Sequence, residues 1–118
     1  MLSPRDQAIV AERAAGTTVT ALGRRHGISH QRVSAIIAEA REMLDMTQRE
    51  LAAAATRGNE VAYAIPFGPD YQPEMAFIDW LTAQLRHRGV RLEVATRHAH
   101  NGVVLFLRDV TPHEGEAS

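Results

Sequence analysis

The chain has 118 residues, of which 45% are hydrophobic and 23% charged, and it contains no Cys. This is enough for one domain or two very small ones, with a composition that suits a folded protein rather than disorder. Missing Cys excludes disulfides, thiolate zinc sites and thiol catalysis. No apolar run approaches the length of a membrane helix, and the N-terminus lacks a basic-then-apolar leader pattern. The expectation is therefore a cytoplasmic protein with no membrane partner. The net charge is −1, but it is unevenly spread. Residues 1–41 hold six Arg against three acids, and residues 59–118 hold five Arg against eight. A basic front and an acidic rear suit contact with a polyanion through the front alone.

Ser3 and Pro4 open a first helix, the Ser as cap and the Pro in the turn where its missing amide costs nothing. Ile9, Val10, Arg13 and Ala14 recur at helical spacing, and Gly16 stops the run. Thr18 caps a second short helix over 19–26. Gly27 suits the left-handed backbone that ends it, and Gly23 allows another helix to come close. Ile28 plugs the corner, and Ser29 caps a third helix that starts at His30. Two helices joined by a short glycine-containing turn form a helix-turn-helix, whose second helix enters the DNA major groove.

The third helix has no clear stop before Gly58-Asn59. Val33, Ile37, Ala40, Leu44, Thr47, Leu51 and Ala54 form a heptad seam, compatible with a coiled coil or with packing against the chain's own second half. Thr47-Gln48-Arg49-Glu50 is also a capping box, so a break near Asp45–Thr47 is the alternative to one long helix. Beyond it, Val61, Tyr63, Ile65 and Phe67 alternate as one face of a strand. Pro66 to Asp70 forms a loop. Residues 73–88 form an amphipathic helix with Phe77, Ile78, Leu81 and Leu85 on one stripe, ended by Gly89. Val90, Leu92 and Val94 alternate against Arg91, Glu93 and Ala95 as a second strand. Asn101-Gly102 signals a hairpin, and the run from Val103 to Leu107 reads as a buried third strand. A right-handed crossover makes the first two strands parallel and the third antiparallel to the second. Residues 111–118 read as a polar, flexible tail.

The segment Leu-Gly-Arg-Arg-His-Gly-Ile-Ser-His-Gln-Arg-Val-Ser-Ala-Ile resembles the helix-turn-helix in the fourth region of bacterial primary sigma factors. The likeness runs over residues 4–44, from Arg5-Asp6 through Ile9-Val10, Arg13, Gly16 and Thr18 to Ala-Arg-Glu-Met-Leu. His26 stands where that family usually has an apolar residue, and His30-Gln31 replace a commoner basic-acidic pair. Nothing resembles the other sigma regions, so a complete sigma factor is excluded. The rear resembles no family.

The expected architecture is α+β: a helix-turn-helix unit over residues 1–44, a linking helix over 45–59, and a β-α-β-β dimerisation or effector domain over 60–110. His30, Gln31, Ser34, Ala35 and Ala38 form the candidate reading face, with Ser29 at its edge. Gln31 suits a bidentate bond to adenine, and Ala35 a thymine methyl. Arg24 and Arg25 are placed for phosphates, and His30 and Arg32 for phosphate or guanine at the groove edge. Leu44, Leu51, Val103 and Leu105 are expected to hold a homodimer, because a three-stranded sheet makes a thin core. His98, His100 and His113 have no nearby carboxylate and make an incomplete metal set. Trp80 and Tyr71 beside Phe67 suit packing better than a ligand site. No nucleophile–base pair or phosphate loop is present, so neither an enzyme nor a cofactor is expected. The leading function is a DNA-binding transcription regulator, such as a repressor, of a bacterium or bacteriophage, reading a palindromic site as a dimer. The alternatives are a module that binds RNA polymerase or another host protein, and an accessory factor in recombination.

Overall fold

A computed structural model describes residues 2–112. His113 and most of the expected tail lie outside the described residues. The chain is mixed α+β: α1 (Pro4–Ala14), α2 (Val19–His26), α3 (His30–Thr56), β1 (Val61–Pro66), α4 (Tyr71–His87), β2 (Leu92–Ala99) and β3 (Gly102–Asp109).

Side-chain caps start the three N-terminal helices. Ser3 Oγ accepts from the Asp6 amide at 3.2 Å, Thr18 Oγ1 from Ala21 at 3.1 Å, and Ser29 Oγ from Arg32 at 3.2 Å. Each such bond satisfies an amide that the helix cannot, and contributes about 1 kcal/mol. Gly27 ends α2 in the left-handed region at φ 67°, and the Ile28 amide returns to the Gly23 carbonyl at 2.9 Å. Gly23 serves a different need. A Cβ there would sit 2.8 Å from the Ile28 carbonyl oxygen, so the turn packs directly on the bare helix backbone.

Helix α3 runs unbroken for 27 residues. The capping box at Thr47 does not restart it, because Thr47 is buried against the chain's own rear. The seam is the expected one with a single shift: Ile36 is fully buried, whereas Ile37 is only partly so. The physical reason is the period, since 3.6 residues per turn drifts from a strict heptad when no second helix supercoils around it.

The sheet has the order β1-β3-β2, antiparallel throughout. β1 and β2 run the same way, as the crossover requires, but the most apolar strand, β3, inserts between them. Central placement buries Val103, Leu105 and Leu107, which face Ile65, Tyr63 and Val61 of β1. The hairpin turn is one residue earlier than the Asn-Gly signal implies. His100 and Asn101 make the turn, and Gly102 already pairs with Ala99. No non-glycine residue among those described has a positive φ, so the mirror-image turn that favours Asn-Gly is not used. Gly102 instead makes room: a Cβ would come 2.5 Å from the Ile65 carbonyl oxygen and 2.8 Å from Pro66 Cα.

One hydrophobic cluster spans Leu2 to Leu107, so the front and rear segments share a core. α4 buries the expected stripe, Phe77, Ile78, Leu81 and Leu85. Leu44, Leu51, Val103 and Leu105, expected at a dimer interface, are 1–5% exposed inside this core. The chain's own packing uses them up, which corrects that assignment. Two further expectations shift. Val94 is 41% exposed because helix cover stops short of it, and Phe67 lies past the end of β1 at 52% exposure. No described helix is long and apolar enough to cross a membrane.

Candidate nucleic-acid interface

The turn from Gly27 to Ser29 fixes how the first turns of α3 stand on α2. Val33, Ile36 and Ala40 point inward, with Leu22, Ile9 and Val10 in the same cluster. The opposite side of α3 is left to solvent. His30, Gln31, Ser34, Ala35 and Ala38 are all exposed, and no described residue hydrogen-bonds the side chains of His30, Gln31 or Ser34. These positions recur at one, three and four residues and so form one stripe. The stripe carries donors, acceptors and a methyl group, the types that read base edges.

The surrounding cations differ in availability. Arg24 is exposed and has no ion pair among the described residues. Arg25 Nη1 lies 3.3 Å from Glu12 Oε2, and Arg32 Nη2 lies 4.0 Å from Asp6 Oδ2. Both Arg side chains are more than half exposed, so these pairs contribute little stability and leave the guanidiniums free to exchange partners. Ser29 is committed differently, since its hydroxyl oxygen caps α3.

Sequence reasoning missed the contacts that seat α1 behind this surface. His26 Nε2 lies 3.1 Å from the same Glu12 oxygen, and its side chain is only 16% exposed. The imidazole thus holds α2 to α1 by a polar tie where an apolar residue would serve by packing. Asp6 is nearly buried and is held by Arg5 at 3.1 Å and by Arg32 from α3. No local pattern announces either contact, because the partners lie 14 and 26 residues apart.

The other candidates disperse. His98 and His100 are exposed, and the described residues contain no group of three metal-binding side chains. Phe67 and Tyr71 meet as a tilted pair with ring centroids 5.3 Å apart, but Trp80 stacks on Phe77 instead. Trp80 lines a groove of about 360 Å³ with Arg13, Arg41 and Arg88, between α1, α3 and α4. No protein-family model, curated protein or solved structure matches the chain.

Proposed function

We propose that this chain is a sequence-specific DNA-binding transcription regulator of bacterial or bacteriophage type, with α3 as the recognition helix. The observation that carries this reading is the exposed, unbonded stripe of His30, Gln31, Ser34 and Ala35 on the first turns of α3. A capped helix set rigidly on a glycine-packed turn presents it, as major-groove insertion requires. Arg24, Arg25 and Arg32 flank the stripe and supply phosphate contacts. The basic excess of residues 1–41 points the same way, although it is modest for one copy. Two copies on a palindromic site double it, so a homodimer belongs to the proposal. Among the described residues, no surface feature favours an RNA polymerase or recombinase partner over DNA.

The test is fluorescence anisotropy of labelled duplex DNA titrated with the full chain across a range of salt concentrations. Binding whose logarithm falls linearly and steeply with log salt supports the reading. Binding absent at low salt removes it and favours the protein-interaction alternative.

A further inference from the structure

We propose that a second copy of this chain pairs with it through the free edge of β2, in one register, around Ala95. β2 is an edge strand, and all of its residues after Leu92 are exposed. Its outward main-chain groups can be assigned. The Val110 amide bonds to the Arg91 carbonyl at 2.8 Å, which sets the alternation along the β2–β3 ladder. Arg91, Glu93, Ala95, Arg97 and Ala99 therefore turn their amides and carbonyls toward β3. The β1 side agrees: the Phe67 amide bonds to the Asn101 carbonyl at 2.9 Å, so odd-numbered residues of β3 serve β1 and even-numbered ones serve β2. Leu92, Val94, Thr96 and His98 are left pointing at the open edge. The Arg86 guanidinium already takes the Leu92 carbonyl at 3.3 Å, so Val94, Thr96 and His98 are the residues with both main-chain groups still open.

The side chains along that edge are self-complementary. Glu93 and Arg97 stand two residues to either side of Ala95. In an antiparallel pairing centred on Ala95, Glu93 of each copy lies opposite Arg97 of the other. Val94 lies opposite Thr96 and exchanges both main-chain bonds with it. The Glu93–Arg97 pairs fall at the non-hydrogen-bonded positions, where opposed side chains come closest. Both ion pairs lie on the sheet face turned away from the helices, and Arg108 is already the cross-strand neighbour of Glu93 there. A shift by two residues would bring Glu93 opposite Ala95 or Ala99 and lose both pairs. Exposed Val94, 41% open in the single chain, gains cover from Thr96 of the second copy.

The symmetry is a two-fold axis normal to the sheet, which makes a contact of identical surfaces. It joins two three-stranded sheets into one of six and removes an open edge that would otherwise template aggregation. It also keeps both helical layers, and hence both α3 helices, on the same side. The contact is a short strand pairing, which places it among small, transient interfaces.

Association is measured without DNA, so it stands or falls apart from the DNA reading. Sedimentation equilibrium is run on the full chain, on Glu93→Arg, on Arg97→Glu, on the double exchange, and on an equal mixture of the two single variants. Circular dichroism confirms that each is folded. Each single variant places like charges opposite each other twice and is expected to associate at least ten-fold more weakly. The double exchange and the mixture both restore opposite charges and are expected to recover the wild-type constant. A wild-type chain that stays monomeric at several hundred micromolar overturns the proposal. So does a dimer whose constant is the same in all five samples, since it must use another surface.

Discussion

Replacing Gly23 with Ala tests the packing that sets α3 on α2. The new Cβ would sit 2.8 Å from the Ile28 carbonyl oxygen and 3.8 Å from the His30 nitrogen. The close atom belongs to the main chain of the turn, so no side-chain rotation relieves it. The turn is also held by the Ile28 amide on the Gly23 carbonyl at 2.9 Å and by the Ser29 cap. Ala itself favours a helix over Gly by about 1 kcal/mol. Overpacking a tight contact costs about 1–3 kcal/mol, so the two effects leave a net loss of up to about 2 kcal/mol. For a chain of this size that lowers Tm by up to roughly 8 °C. Thermal and urea unfolding followed by far-UV circular dichroism measure it. The comparison is Gly27→Ala, which meets open space and pays only for left-handed backbone, about 1–2 kcal/mol. Gly27→Ala is expected to keep α3 in place and Gly23→Ala to displace it, so only the latter weakens DNA binding beyond its loss of stability. A Gly23→Ala variant as stable as wild type, with full DNA affinity, would refute the close-packed turn.

Glu12→Gln removes the negative charge beside Arg25 and is expected to strengthen binding to any duplex modestly with the salt slope unchanged, since Arg25 already supplies its phosphate contact, as read from the anisotropy titrations. Leu51→Ala opens the core beneath the sheet and is expected to cost about 2–5 kcal/mol in urea unfolding, rather than to yield a well-folded monomer. Burial pushes the Tyr63 phenol above its ordinary pKa of 10.0; the nearby Glu50 charge adds to this and the Thr47 hydroxyl opposes it. The folded chain then keeps its phenol proton where the unfolded chain loses it. Stability is full below pH 10 and falls as pH rises from there through the folded pKa. Tyr63→Phe is expected to flatten this alkaline loss in urea titrations, and an unchanged slope would show that Tyr63 is not its source.

The parts of the fold legible in the sequence are those set by neighbours in the chain. Ser3, Thr18 and Ser29 each cap an amide three residues on, and Gly27 is read from its own backbone needs, so the helix starts and the turn are visible in a short window. The α4 stripe is visible for the same reason. What depends on a distant partner is not. Alternation places Val94 on the inner face of β2 but says nothing of how far the helices reach over that face. Asn-Gly announces a hairpin, yet the need for space beside Ile65 fixes where Gly102 stands, and that contact joins residues far apart in sequence. The seam of α3 fits a partner helix or the chain's own sheet equally well as a pattern. Burial of Leu44 and Leu51 against the chain itself distinguishes them. At the candidate interface, the outward stripe of α3 follows from helical period alone, whereas Glu12 beneath Arg25 and His26 has no local signal.

The central claim is that α3 reads DNA sequence through the stripe that begins at His30 and Gln31. Its most direct test is selection of bound duplexes from a random pool by the full chain, followed by titration of wild type and Gln31→Ala on the enriched site and on an unselected duplex. Enrichment of a single motif is expected, with Gln31→Ala losing about 1–3 kcal/mol on that site and nothing on the unselected one. A pool that stays random after repeated selection, or a Gln31→Ala loss equal on both duplexes, would contradict it.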